Sequence, residues 1–394
     1  MSLRIAIITG TRAEFGIFHP LLAALEADAR FDVGLIVTGT HLEERFGMTV
    51  RNIEAEGHRV LARVPLPLDA DSDLGIARAT GAAVAGIAEA LAAEKPDLVV
   101  VLGDRYETLA AATAALLLRI PLAHLHGGEI TEGAIDDSIR HAITKMATLH
   151  FTASEQYRRR VIQLGEKPDR VFAVGALGVD NALHTQIVPT DTLAADLGFR
   201  FEFPTALVTF HPVTLGETPG IQQLEELLGA FDALPHMRVL VTMPNADAGN
   251  REIAERIESW VAANSGRAKA FASLGRVRYL SALVACDVVV GNSSSGIIEA
   301  PSFGKPTVDV GDRERGRARA ASIAHCEPER TAIVAAIEHA LTPEARASAL
   351  EVSNPYGDGH AAERIVAVLS ELTPSDLTTR KHFYDVGGPN AAGT

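Results

Sequence analysis

VLGDRYETLAAATAALLLRIPLAHLHGGEITEGAIDDSIRHAITK, residues 101–145, decides how the chain is read. An apolar strand ends at Gly103 and Asp104. A helix rich in alanine and leucine follows from Glu107, and a second apolar strand, 122–125, runs into His126. Continuous apolar strands joined by helices mark a parallel sheet covered on both faces. Core packing accounts for the strands and the alanines. It does not call for an aspartate beyond one strand, a His-rich turn beyond the next, and paired acids ahead of Arg140 and His141.

The same alternation extends in both directions. Strands are predicted at 4–8, 33–37, 98–102, 122–125, 149–152 and 171–174, then at 206–210, 238–242, 288–290 and 307–310. Pro20 and Pro343 are read as first-turn prolines opening helices. The pattern breaks over 176–204, where two prolines and two short helical patches mark a hinge. The fold class is therefore α/β, with two doubly wound, Rossmann-like domains. The boundaries are an N-terminal domain at 1–180, a C-terminal domain at 205–360, a helix at 361–372 and a polar tail at 373–394, whose end, VGGPNAAGT, reads as disordered. Ligands bind such sheets beyond the carboxyl ends of the strands, here in a cleft between the two domains. Arg12, His41, Asp104 and His126 fall at those ends in the first half, and His211, Asn245 and Ser293–Ser295 in the second.

Composition narrows the classes. With 394 residues, 47% hydrophobic and 22% charged, the chain is that of a globular protein of two domains. A net charge of −14, with no basic tract longer than Arg158–Arg160, argues against a nucleic-acid scaffold while leaving room for a phosphate held locally by a few arginines. No continuous apolar run reaches the roughly 20 residues of a membrane span, and 109–118 reads as a buried helix. Met1 leads straight into a strand without a signal-peptide core, and Cys286 and Cys326 have no metal-like spacing, so a cytoplasmic location is expected.

Each polar motif has a structural reading beside a chemical one. TGTRAEFG, 9–16, can present backbone N–H groups and Arg12 to an anion, or simply cap a helix. It is not GxGxxG, which removes support for a nicotinamide or flavin cofactor. Asp104 can cap the following helix, and one of Asp136 and Asp137 can do the same for the next. Two carboxylates and the imidazole of His126 are also the equipment for moving protons on and off carbon. GNSSSGIIEA, 291–300, offers serine hydroxyls and N–H groups to a phosphate, with Glu299 placed in the helix to accept from a ribose diol. No Walker, zinc or G-x-S-x-G pattern is present.

Taken together, TGTRAEFG, TGTHLEERFG, GDRYE, HLHGGEITEGAIDDSIRHAITK, TFHPVT, PNADAG and GNSSSGIIEAPSFGKPTVDVG resemble the UDP-N-acetylglucosamine 2-epimerase family, in its hydrolysing branch. The likeness runs in order from about residue 4 to 370. It implies a glycosyltransferase-B-like fold, whose C-terminal helix, matched by 361–372, crosses back onto the first domain. It implies Asp104 and Asp136 as acid/base groups, with His126 and His211 in the catalytic set, and contacts to the nucleotide sugar from Arg12, Gly16, His41, Arg105, Asn245, Ser293, Ser294, Gly296 and Glu299, with His211 also reaching the nucleotide. Neither metal nor cofactor is implied. The implied partners are a nucleotide-sugar substrate and a second copy of the chain, as homodimer or homotetramer, with no nucleic acid and no membrane. Where sialic-acid-pathway members carry HIEGGE, this chain has HLHGGE, and so His126 in place of a glutamate. That variant is similar to enzymes acting on 2,4-diacetamido-2,4,6-trideoxy sugars on the route to legionaminic acid. An N-acetylglucosamine substrate stays open beside it, as do uracil and guanine as the base. A glycosyltransferase of the same fold and a nucleotide-sugar-binding regulator without turnover are the rival readings.

Overall fold

Every residue of the strand Leu98–Leu102 is buried, so this strand needs cover on both faces and neighbours on both sides. The computed structural model describes residues 2–68, 72–131, 135–211, 219–243, 250–373 and 375–387. Contacts divide the chain into two units. Unit 1 takes the described residues of Met1–Glu129, Ile135–Asn181 and Gly359–Thr394, and unit 2 those of Ile130–Ala134 and Ala182–Asp358.

Unit 1 holds a parallel sheet of seven strands: β1 (Leu3–Thr9), β2 (Phe31–Thr38), β3 (Val60–Val64), β4 (Leu98–Leu102), β5 (Leu122–Leu125), β6 (Leu149–Thr152) and β7 (Val171–Ala173). Their order is β3-β2-β1-β4-β5-β6-β7, with Ile5 paired to both Val33 and Leu98. The winding therefore reverses between β1 and β4, the switch point at which ligands bind such sheets. Unit 2 repeats the scheme with β8 (Thr205–Thr209), β9 (Arg238–Thr242), β10 (Ala268–Phe271), β11 (Val288–Gly291), β12 (Thr307–Val310) and β13 (Ile323–Cys326). Its order is β10-β9-β8-β11-β12-β13, with the switch between β8 and β11. The expected architecture of two doubly wound sheets is the one found.

Three strands escape the sequence pattern: β3, β10 and β13. Each sits at a sheet edge and is only partly buried, so VLARV, AKAF and IAHC lack the continuous apolar run that identifies the others. Pro20 requires a second correction. Helix α1 (Arg12–Glu26) begins eight residues before it, with Thr11 as the cap accepting from Glu14 N. An interior proline withholds the N–H that the carbonyl four residues earlier would receive. Here that carbonyl, of Gly16, accepts from Asn181 Nδ2 at 2.7 Å instead. Pro343 does open its helix, behind the Thr342 cap.

One face of the unit 1 sheet is covered by α1 and the helix Ala361–Glu371, whose Ile365 and Leu369 enter the core with Phe18, Leu21 and Leu25. Asp180 caps that distant helix, accepting from Ala361 N at 3.0 Å and Ala362 N at 2.7 Å. The other face carries α3 (Asp73–Glu94) and α4 (Tyr106–Leu117); between α1 and α3, in chain order, lies the short α2 (Val50–Ala55) on the opposite face. By length and composition α3 is the one helix among the described residues apolar enough to cross a membrane, although its sequence holds no unbroken apolar run. Its Ala79, Ala83, Ile87 and Leu91 form a stripe buried against the sheet and α4. The five buried alanines of α4 are engaged within the unit, while Leu116 and Leu117 beyond them are exposed.

The tail is also more ordered than its composition suggests. Arg170 pairs with Asp376 at 2.9 Å, Tyr384 N donates to Gly165 O at 2.9 Å, and Lys381 Nζ reaches Glu166 at 2.6 Å. Residues 388–394, most of the stretch read as disordered, lie outside the described residues.

Candidate active site

The carboxyl end of β4 turns through Gly103, held at φ +76°, and places Asp104 ahead of α4. Asp104 does not cap that helix: the cap position is Arg105, without a side-chain cap bond. Its carboxylate instead accepts from Arg140 Nη2 on α5 (Ile135–Met146). Arg140 is among the largest fully buried side chains, and its Nη1 donates to Glu129 O at 3.0 Å and to Asp137 Oδ1 at 3.3 Å. One buried guanidinium thus ties the ends of β4 and β5 to the start of α5. A buried cation of this kind persists only where its partners surround it.

His126 lies just past β5 at φ +64°, a left-handed conformation that leaves the strand's alternation behind. Its Nδ1 sits 2.8 Å from Glu129 Oε1, and Glu129 is itself buried. The other ring nitrogen, Nε2, is buried without a hydrogen-bond partner. With Nδ1–H directed at the carboxylate, Nε2 is left as a proton acceptor. Gly128 at φ +81° is required here, since a Cβ would come within 2.5 Å of Tyr157 O. Two residues before His126, His124 has a different task. Its Nε2 donates to Gly103 O at 2.8 Å and its Nδ1 accepts from Thr144 at 3.1 Å. Burial, the main cause, pushes its pKa down to about 3, so it is neutral and holds the two strand ends together. Asp136 stands in the first turn of α5 beside Asp137. His141, one turn on, lies 3.5 Å from Asp137 and has its pKa lowered by burial.

At the end of β1 the arrangement departs from the expected anion cradle. Gly10 N–H donates to Glu14 Oε2 at 2.7 Å, and Glu14 N is taken by Thr11, so those donors are engaged within the turn. Arg12 is exposed at the start of α1, while Gly16 lies in the helix with open space where a Cβ would stand. His41, expected against the nucleotide, is fully buried, with Nδ1 2.7 Å from Thr49 and Nε2 3.2 Å from Thr9; burial lowers its pKa to about 4. Its arrangement is that of a group positioning β1. Two further carboxylates lie beneath. Glu14, raised to about 7 chiefly by burial, is near Glu107, which Arg105 Nε contacts at 3.2 Å.

In unit 2 the switch point is fastened by amides. Asn292, directly after β11, accepts from His211 N at 2.7 Å and donates to His211 O at 2.8 Å. Gly291 at φ +136° permits this approach, because a Cβ would come within 2.0 Å of Thr209 O. Burial, with the Arg313 charge adding, pushes His211 down to about 3, so its imidazole is neutral. Ser293 caps the short helix Ser294–Ile298, its Oγ accepting from Ser295 N at 3.4 Å. Ser295 in turn accepts from the Tyr279 hydroxyl at 2.6 Å. Gly296 lies in that helix, and Glu299 is its C-cap rather than an interior residue as expected. Asn245 falls outside the described residues.

Each unit thus assembles its own share of the expected residues. Unit 1 joins Asp104 to His126 through Arg140 and Glu129, while unit 2 joins His211 to Ser293 through Asn292. Arg140 stands out in the sequence without a role, and its spacing of three from Asp137 is the available signal. Glu129, Asn292 and Tyr279 carry no such signal, being ordinary polar residues until the turns around them are built.

The fold and these groups define a class: a two-unit Rossmann-like α/β protein with an acid/base cluster at one switch point and a hydroxyl-amide turn at the other. The family model described as UDP-N-acetylglucosamine 2-epimerase matches residues 23–370. The chain is 38% identical over 324 residues to GDP/UDP-N,N'-diacetylbacillosamine 2-epimerase (hydrolyzing) of Campylobacter jejuni, covering 82% of this chain and 84% of the relative. It is 35% identical over 370 residues to UDP-N,N'-diacetylbacillosamine 2-epimerase (hydrolyzing) of Legionella pneumophila, covering 94% and 96%. The crystal structure of UDP-GlcNAc 2-epimerase from Neisseria meningitidis bound to UDP-GlcNAc shares the fold, with a TM-score of 0.79 at 18% identity over 94% of this chain and 100% of that one. The chain belongs to the UDP-N-acetylglucosamine 2-epimerase family and is an enzyme of its hydrolysing type.

Proposed function

We propose that the enzyme converts an NDP-linked 2,4-diacetamido-2,4,6-trideoxy sugar, N,N'-diacetylbacillosamine, to the free 2-epimer and the nucleoside diphosphate. The observation that carries this reading is the linked set Asp104–Arg140–Glu129–His126 at the ends of β4 and β5. The diacetamido sugar is favoured by His126 in HLHGGE and by the substrates in the names of the Campylobacter and Legionella relatives.

In the proposed reaction a base of unit 1 takes the proton from C2. The C–H electrons form the C1=C2 double bond as the C1–O bond breaks, and that electron pair leaves on the diphosphate. Water then adds its oxygen to C1, giving up one proton to a base, while an acid returns a proton to C2 on the opposite face. Asp104, Asp136 and His126 are the proposed acid/base groups, since the two proton transfers occur on opposite faces and need separate donors and acceptors. His126 Nε2, with Nδ1–H held by Glu129, is suited to accept. Ser293 and Ser294 are the proposed diphosphate contacts. Ser293 Oγ accepts within its turn and keeps its own proton to donate. His211, neutral, suits a hydrogen bond to the diphosphate rather than a charge. Arg12 and Arg105 are proposed to balance the negative charge leaving C1, and Glu299 to accept from the ribose diol. The free 2,4-diacetamido sugar would then feed a condensation that builds a nonulosonic acid.

The test is incubation in heavy water with UDP- and GDP-N,N'-diacetylbacillosamine and with UDP-N-acetylglucosamine. The expected result is nucleoside diphosphate release and one deuteron at C2 of the free diacetamido product. Turnover of UDP-N-acetylglucosamine alone would move the substrate assignment. No release from any of the three would remove it.

A further inference from the structure

We propose that unit 1 carries a second, unrelated site: a divalent transition-metal site of the zinc class, formed by His19, Glu56 and His58 with Glu26 as the outer support. His19 and Glu26 lie two turns apart on α1, Glu56 caps the end of α2, and His58 leads into β3. Their candidate ligand atoms, those of His19, Glu56 and His58, all lie within 4.8 Å of one another. His19 Nε2 is 3.3 Å from Glu56 Oε2, and His58 Nε2 is 3.7 Å from the same oxygen. Two ligands about 2.0–2.1 Å from a tetrahedral zinc ion stand roughly 3.3 Å apart, so the cluster is already near that spacing.

The arrangement of His58 points to a cation rather than to ion pairing alone. Its side chain is only 8% exposed, and Nδ1 faces both oxygens of Glu26, at 2.9 and 3.1 Å. A carboxylate on Nδ1 fixes the proton there and leaves a lone pair on Nε2. That Nε2 is buried and has no hydrogen-bond partner; at 3.7 Å, Glu56 is beyond hydrogen-bond reach. A buried acceptor facing a second imidazole and a carboxylate is what a metal ion satisfies, and carboxylate–histidine–metal chains are the usual way such an imidazole is oriented. Two imidazoles and one carboxylate oxygen suit zinc and its neighbours better than magnesium or calcium.

Occupancy would clip α1 to the α2–β3 connection. The Phe15 ring stands edge-on to His58 at 5.6 Å, to His19 at 6.4 Å and to His41 at 6.2 Å, so the clip abuts the residue that positions the end of β1. Its role is thus to fix unit 1, with no part in the proton transfers.

The experiment titrates zinc chloride into the full chain after chelator stripping, read by calorimetry and by the melting temperature, with cobalt chloride as a spectroscopic substitute. One equivalent should bind saturably and raise the melting temperature, and cobalt should give visible bands of a low-coordinate N/O site. His19→Ala and Glu56→Gln alter solvent-accessible side chains and should each weaken binding at least tenfold while the metal-free melting temperature holds. Glu26→Gln should weaken it by roughly 10- to 100-fold. Absence of saturable zinc binding, or binding unchanged in both His19→Ala and Glu56→Gln, overturns the site.

Discussion

The two switch points share one scaffold and differ in chemistry. Both sheets reverse direction after their third spatial strand, and in both a glycine with positive φ follows or ends the central strand, Gly103 in unit 1 and Gly291 in unit 2. In unit 1 the groups beyond that point are carboxylates and an imidazole, Asp104, His126, Glu129 and Asp137, gathered around the buried guanidinium of Arg140. In unit 2 they are amides and hydroxyls, Asn292, Ser293 and Ser295, around an imidazole held neutral. Charged groups that exchange protons suit bond-making at carbon. Neutral donors that do not titrate suit steady binding of an anion. The difference teaches that the fold sets where chemistry happens, and a handful of side chains at the strand ends sets which chemistry it is.

This contrast can be broken most directly at Asp104. Asp104→Asn keeps an acceptor for Arg140 and should lower kcat/KM by roughly 10²- to 10⁴-fold, the range of one acid/base group, with UDP affinity unchanged. Parallel loss of UDP binding by calorimetry would erase the division of labour. Arg140→Met should lower the unfolding free energy by about 1–3 kcal/mol in urea melts, because the partly exposed Asp104 and Asp137 and the buried Glu129 carbonyl lose their donor. Ser294→Ala tests the other side. One lost hydrogen bond to a charged group, about 1.5–3 kcal/mol, should weaken UDP roughly 10- to 100-fold while kcat at saturation changes little.

The remaining effects are pH effects, with opposite signs in different groups. His41 and His124 in unit 1 and His211 in unit 2 have folded pKa values near 4, 3 and 3, below the ordinary 6.5. The unfolded chain therefore binds their protons first, and their stability, full above 6.5, is lost as pH falls toward those values. Glu14 runs the other way: raised from 4.5 to about 7, its contribution is present below 4.5 and lost as pH rises through 7. Glu14→Gln should thus raise the melting temperature more at about pH 8 than at about pH 5, and an equal change at both would contradict the buried-acid assignment.

Central strands were legible in the sequence because burial on both faces demands an unbroken apolar run, as in LVVVL of β4. The edge strands β3, β10 and β13 were not, since VLARV, AKAF and IAHC face solvent enough to lose that run. The strand-end position of Asp104, His126 and His211 was legible too, because strand ends can be counted. The partner each side chain would take was not. Asp104 read equally as a helix cap, and only the return of α5 brought Arg140 to it across 36 residues of chain.

The sequence by itself determined two doubly wound sheets and the placing of acids, imidazoles and serines at their carboxyl ends, because hydrophobic periodicity and turn residues act over short stretches. Tertiary structure alone decided that Arg140 and Glu129 join Asp104 to His126, that His41 faces inward, and that Glu26 orients His58. Those contacts depend on burial and on residues distant in the chain, and no local pattern encodes either.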